Sequence, residues 1–264
     1  MATSSCRPLT IEATTPEPAK STVLGKIVFL SVVNTLGIPA LVFLYIKETA
    51  LVSNILRLAR QAPIDRHHSE SLLHKALSLS SAQAYTKSKA LEYQVSEGYC
   101  AVATERCICK SIPHFPKEKM PDQMTRGGPS TANKFAEALS CDRLTKSTVV
   151  YGSEGYGAFL KALIKSNQPQ NYRVAVNFLR SSLFGFPTPT WLPGSWLLAL
   201  LGGHFSPVLG YLEEENLVAI FDVNKKYGFY LVEARRLFAS VNTFDFMNGT
   251  TRGLIITEII AKES

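Results

Sequence analysis

In EGYCAVAT, residues 97–104, Cys100 is flanked by small residues and preceded six positions earlier by Gln94. An unpaired cysteine is usually a buried, inert thiol, so a catalytic reading requires a base, an orienting group and an oxyanion donor elsewhere. His204 stands in GGHFSPVLGY just ahead of an apolar run, and Asp222 stands in VAIFDVN at the end of another. If these runs form neighbouring strands, the histidine and the carboxylate can hydrogen-bond across the sheet as base and orienting acid. Gln94 can aim its side-chain amide at an oxyanion beside the Cys100 backbone N–H. Taken singly, each residue has a plainer reading: a core thiol, a structural histidine, a turn aspartate. The order Gln, Cys, His, acid along one chain is the stronger signal, and its chemistry is nucleophilic attack by a thiolate.

Two halves of different character must position these groups. AVATERCICK, after Cys100, has good helix formers and neither Gly nor Pro, so Cys100 opens a helix whose N-terminus favours a thiolate. Residues 113–129 hold four prolines and a Gly pair and read as loop, with helices expected at 131–140 and 156–166. The later runs YRVAVNFL, FSPVLGYL, LVAIFDV, FYLVEA and RGLIITEII are short, β-rich and separated by turn residues. Helices first and strands later predict an α+β domain with an antiparallel sheet.

The rest of the chain sets limits. It has 264 residues, 46% of them hydrophobic and 19% charged, with a net charge of +7. The basic residues are scattered without an interleaved aromatic platform, which excludes a nucleic-acid reading. The five cysteines (6, 100, 107, 109 and 141) form no disulfide framework, and Cys107-x-Cys109 lacks structural-zinc spacing, so the domain reads as reduced and cytosolic. Cys107 lies about 10 Å along the helix from Cys100, too far for one shared metal ion. His67, His68 and His74 read as an exposed polar face rather than ligands. Asn248-Gly249-Thr250 is a sequon, of use only to a lumenal domain. Residues 1–22, rich in Ser, Thr and Pro, read as a disordered tail. Ile27 to Ile46 carries no charge over twenty residues and is bracketed by Lys26 and Lys47. At about 1.5 Å per residue it matches a bilayer core of about 30 Å, so 23–47 is expected to be a single signal anchor. Residues 48–82 are then a helical juxtamembrane connector, and 83–264 the catalytic domain, on the cytosolic side by the excess of basic residues after the span.

Six stretches resemble one known family. YQVSEGYC, VNFLR, GGHFSPVLGY, IFDVNKKY, VNTFD and TTRG are similar to the catalytic domain of phytochelatin synthases, within the papain-like cysteine peptidases, over residues 83–258. The resemblance implies a papain-like fold, with a helical half carrying the nucleophile and an antiparallel sheet carrying His204 and Asp222. It implies glutathione as substrate, cleaved at its cysteinyl-glycine bond by Cys100. Gln94 and the Cys100 N–H would face the oxyanion, and the γ-glutamylcysteinyl group would pass to a second glutathione. Asp245 and Arg252, seven residues apart, would hold the γ-glutamyl zwitterion, with Asn177 and Gly203 lining the site and Lys225 serving the second substrate. No prosthetic group is implied. Cadmium or zinc would act as activators or arrive as glutathione thiolate complexes, and a homodimer is a further expectation.

The departures keep alternatives open. Gly98 and Ala101 replace the Pro-Ala and Gly that usually surround the Tyr-Cys pair, and Lys225 replaces an Arg. The chain ends soon after the catalytic sheet, as in family members associated with glutathione hydrolysis. SSLFGFPTPTWLPGSWLLAL, roughly 181–200, is an apolar insert holding both tryptophans, and it is expected to form a lid that touches a membrane interface. A hydrolase without polymer synthesis and an inactive membrane-bound interaction protein therefore stand beside the synthase.

Overall fold

The computed structural model describes residues 11–16, 23–61, 63–65, 69–123, 127–128, 130–141, 144–187 and 191–260, and only the backbone of 23–30 and 33. Most of the tail reading, together with His67 and His68, lies outside these residues. The helices that precede the sheet are α1 (Val23–Lys47), α2 (Thr49–Ala59), α3 (Glu70–Ser78), α4 (Ser80–Lys87), α5 (Cys100–Ser111) and α6 (Ala132–Leu139). The sheet half then runs β1 (Thr145–Tyr151), α7 (Tyr156–Lys165), β2 (Tyr172–Leu179), α8 (Arg180–Phe184), α9 (Pro193–Leu201) and β3 (Gly203–Leu212). It closes with β4 (Leu217–Phe221), β5 (Phe229–Glu233), α10 (Ala234–Val241), β6 (Phe244–Asp245), β7 (Thr250–Thr251) and β8 (Gly253–Ile259).

Six strands form one antiparallel sheet in the order β1-β8-β2-β3-β4-β5, and β6 and β7 pair separately. Alternate side chains divide between two cores, as a period of two requires. Ala175, Phe205, Ala219 and Leu231 face one core with Tyr85, Ile108 and Phe135 from the early helices. Val176, Val208, Ile220 and Val232 face another with Phe159, Leu163 and Leu237 of α7 and α10. Strand β2 is buried along nearly its whole length, which explains why its sequence is mainly apolar on both faces, with Arg173 and Asn177 as buried exceptions. Strand β1, TKSTVVY, was not expected, because its first half is polar and only its pairing with β8 makes it a strand.

One irregularity governs how His204 faces Asp222. The β3–β4 register shifts between Val208 and Gly210, making Leu209 an extra residue opposite a straight β4. Counted on from the Val208–Ile220 pair, Asp222 falls on the same face as His204; counted from the Gly210–Ala219 pair it would fall on the other. Gly210 has φ +155°, and a Cβ there would come within 2.6 Å of Leu79 and of the Ser81 hydroxyl, so the bulge needs glycine.

The N-terminal part packs on the sheet half through α1 and α2. Among the described residues no single helix is long and apolar enough to cross a membrane. The pair Asn34–Lys47 and Thr49–Ala59 passes by composition only when taken together, bent by 115°. Helix α2 buries Val52, Ile55, Leu58 and Ala59, and a third core forms from Val52, Ile55, Leu179 and Leu200 with Leu41 and Leu44 of α1 against it. Within the expected tail, Thr14 pairs with Glu92, its N–H donating to the Leu91 carbonyl and its carbonyl accepting from Tyr93.

Candidate active site

Cys100 is the first residue of α5, and Tyr99 caps the helix without a side-chain hydrogen bond. The first-turn N–H groups and the positive end of the helix dipole are therefore not occupied by a cap. Gly98 has φ +88° in the turn that leads into the helix, a conformation open to glycine at no cost.

Strands β3 and β4 are neighbours, as the expected pairing of His204 with Asp222 required. His204 Nε2 lies 2.7 Å from Asp222 Oδ1, both side chains are buried, and Phe178 packs edge-on against the imidazole. Asp222 Oδ1 also accepts the Asn224 backbone N–H at 2.8 Å. With Nε2 engaged by Asp222, Nδ1 is the ring nitrogen left to face the Cys100 thiol, and the two groups are close enough to shift each other's protonation. Burial works most strongly against charge on the imidazole, but Asp222 and then Cys100 outweigh it, and the group is raised to about 10. Burial likewise pushes the Cys100 thiol up, yet His204 and a hydrogen bond from the Phe205 backbone bring it below the ordinary thiol value. The arrangement favours a thiolate–imidazolium pair.

Gln94 is held from several sides. Its N–H donates to the Val223 carbonyl at 2.8 Å, next to Asp222. Two residues earlier, the buried Glu92 carboxylate binds Arg106 and Lys110, one turn apart on α5, and Gln123. Gln123 in turn accepts the Val95 N–H at 3.1 Å. Burial raises the Glu92 carboxyl, but its partners lower it further, so it is held below the usual carboxylate value. This network clamps the Gln94 strand to the helix that bears Cys100.

The remaining expected residues are placed as follows. Arg252 is buried, donates to the Phe244 carbonyl at 2.7 Å and to the Leu201 carbonyl at 3.4 Å, and is lowered to about 10 by burial, with Asp245 opposing. Gly203 lies over this guanidinium: a Cβ there would be 3.5 Å from its nitrogens. Asp245 is buried in the small β6–β7 ribbon, where it accepts the Met247 N–H. Asn177, buried on β2 opposite Phe205, has an Oδ1 with no hydrogen-bond partner. Gln94 Oε1, Asp222 Oδ2 and Arg252 Nε are also buried without partners. Lys225 stands apart, exposed in the turn after Asp222.

Several residues were missed. Asn224 donates its backbone N–H to Asp222 Oδ1, closing an Asx turn made by the Asp222 side chain, for which the Asp-x-Asn spacing was a usable signal. The Asn224 side chain donates to Glu97, which also pairs with Arg180 at 3.2 Å. Arg180 stood in the quoted VNFLR, but nothing local marked its partner 83 residues away. A cavity of about 500 Å³ opens beside the catalytic group, lined by Asp65, Glu97, Arg180, Phe184, Lys226 and Tyr227 among others, and not by Cys100, His204 or Asp222. Among the described residues no three His, Cys, Asp or Glu side chains are grouped to hold a metal ion.

Comparison with known proteins adds two findings. A family model described as phytochelatin synthase matches residues 117–254, just over half of the chain. The matched range contains Asn177, Gly203, His204, Asp222, Lys225, Asp245 and Arg252, and begins after Gln94 and Cys100. The chain is also 28% identical over 130 residues to a Schizosaccharomyces pombe protein named glutathione gamma-glutamylcysteinyltransferase. That stretch is 48% of this chain and 28% of the yeast protein, so the chain matches well under a third of that relative's length.

Proposed function

The chain belongs to the phytochelatin synthase family, and from that premise we propose that it is a thiol acyltransferase acting on glutathione, with a papain-like arrangement of its catalytic groups. The observation that carries the reading is the buried 2.7 Å contact of His204 with Asp222, joined to a thiol at the start of α5. In this reading the Cys100 thiolate attacks the carbonyl of the cysteinyl-glycine bond. The oxyanion is met by the Cys100 N–H and the Gln94 side-chain amide. Imidazolium Nδ1 gives its proton to the departing glycine amine, leaving a γ-glutamylcysteinyl thioester. Neutral His204 then takes a proton from the incoming amine of a second glutathione, which attacks the thioester and expels the thiolate. Throughout, Asp222 holds the ring orientation and stabilises its charged form.

Substrate selection follows the same logic. The γ-glutamyl carboxylate reaches the Arg252 guanidinium across Gly203, where no side chain intervenes, and Asp245 pairs with the ammonium. Asn177 supplies its unpartnered amide oxygen to a substrate N–H. Cadmium or zinc enters as a glutathione thiolate complex, as part of the substrate.

A second reading, hydrolysis without chain extension, is favoured by Lys225. It is exposed and lies outside the lining of the neighbouring cavity, and it lacks the planar fork of arginine. Water then replaces the second glutathione as acceptor. The test is the full chain with glutathione and trace cadmium, products followed by mass, beside Cys100→Ala. Polymers of γ-glutamylcysteine that vanish in the variant support the transferase; γ-glutamylcysteine and glycine alone support the hydrolase. No turnover by a folded chain refutes both.

A further inference from the structure

Large exposed apolar side chains are concentrated in one place. Val32, Leu36, Ile38, Val42, Phe43 and Ile46 are exposed on α1, and Trp191, Leu198 and Leu201 on the insert beside it, with Trp191 78% exposed. The two segments form one surface. The Gly194 N–H donates to Asn34 Oδ1 at 3.0 Å, and Gly37 is buried against Pro193 and Gly194, where a Cβ would lie 3.4 Å from the backbone of either. Further along, Leu200 of α9 shares a core with Leu41 and Leu44 of α1. Helix α9 therefore runs alongside α1 in the same direction, and the outward faces of both are apolar.

We propose that α1 and α9 together form a bilayer-docking surface, and that the insert meets lipid directly rather than only covering the domain. Three features select lipid with anionic headgroups as the occupant. The α1 sequence from Ile27 to Ile46 has no charge to pair with a protein partner. Lys47 is exposed where α1 ends, and Arg57 and Arg60 are exposed at the far end of α2, so the exposed charge carried by these two helices is mainly basic. The aromatic side chains Tyr45 and Trp191 are both exposed on it, a residue type favoured where bilayer meets water. Since one face of α2 packs through Val52 and Ile55 against Leu179 of β2, the docked surface is tied to the sheet that carries His204. Helix α9 also ends at the Leu201 carbonyl that accepts Arg252 and runs straight on to His204, so lipid contact reaches within a few residues of the active site. This inference does not depend on the reaction proposed above.

The two tryptophans of the chain, Trp191 and Trp196, make it testable without a label. Trp196→Phe leaves Trp191 as sole emitter; Trp191→Phe leaves Trp196, which packs against Phe186 with ring centroids 4.9 Å apart. Full-length protein is mixed with vesicles of phosphatidylcholine and phosphatidylserine whose acyl chains are brominated. The expected result is co-sedimentation, weakened about tenfold in pure phosphatidylcholine, with Trp191 emission quenched and shifted to the blue. Ile38→Glu, on the exposed face of α1, should reduce that quenching while Cys100 alkylation stays at the wild-type rate. Co-sedimentation with Trp191 unquenched overturns the proposal, because α1 alone would then be the attachment. Failure to co-sediment overturns it as well, whether the chain is monomeric or self-associates through this face.

Discussion

Replacing Asp222 by Asn removes one charge and almost nothing else. The amide oxygen can take the place of Oδ1 and accept from both His204 Nε2 and the Asn224 N–H, so both present bonds survive. What is lost is the attraction between carboxylate and imidazolium in a site where both side chains are buried, His204 at 3% exposure and Asp222 at 0%. For charge centres about 4 Å apart at an effective dielectric of about 20, that attraction is about 4 kcal/mol, or about a thousandfold. With burial left as the main influence on His204, the imidazolium is lost and the Cys100 thiol rises to or above its ordinary value. Two assays read this. Glutathione turnover should fall about a thousandfold. The iodoacetamide rate of Cys100 against pH should move from a midpoint below the ordinary thiol range to one at or above it. A variant that keeps the wild-type alkylation profile would refute the view that Asp222 drives the ion pair.

Further outcomes follow from the same geometry. The pH profile of kcat/KM should be a bell, rising as the lowered Cys100 thiol ionises and falling near about 10 as His204 loses its proton; a descending limb near neutrality would contradict it. For stability the sign is fixed by the raised histidine: its contribution is complete below about pH 6.5, and chemical denaturation should show it lost as pH rises through about 10. Brief alkylation near neutral pH, mapped by mass, should mark Cys100 and spare Cys107, buried and pushed up to about 12, and Cys109, raised by burial too. Gly203→Val puts methyl groups over the Arg252 guanidinium and should raise KM for glutathione about tenfold or more while leaving the melting temperature near wild type; an unchanged KM would remove Arg252 from substrate binding.

The sequence made some of this legible and hid the rest for physical reasons. The β-branched runs were readable because burial on alternate faces shows in the residues themselves, and YRVAVNFL is β2 from first residue to last. The adjacency of the His204 and Asp222 runs was readable as a short hairpin, whereas the extra residue at Leu209 that brings both onto one face was not. Cys100 at a helix start was readable from the absence of Gly and Pro behind it. The clamp on Glu92 was not, because Arg106, Lys110 and Gln123 look like any solvent-facing residues until the chain folds back upon them. Nor was the fate of residues 48–82: the amphipathic pattern of α2 shows that one face is covered and is silent on whether lipid or protein covers it.

The extra residue at Leu209 has a consequence for how this sheet can change length. Point substitutions between His204 and Gly210 alter packing and leave the direction of the imidazole untouched. A single-residue deletion or insertion there does the reverse: it can preserve an apolar, well-packed strand while turning His204 to the side away from Asp222, or else slip β3 against β2. Changes of two residues restore the original side. Along this segment the reaction is protected by whether the residue count is odd or even, and length variation compatible with catalysis should come in pairs.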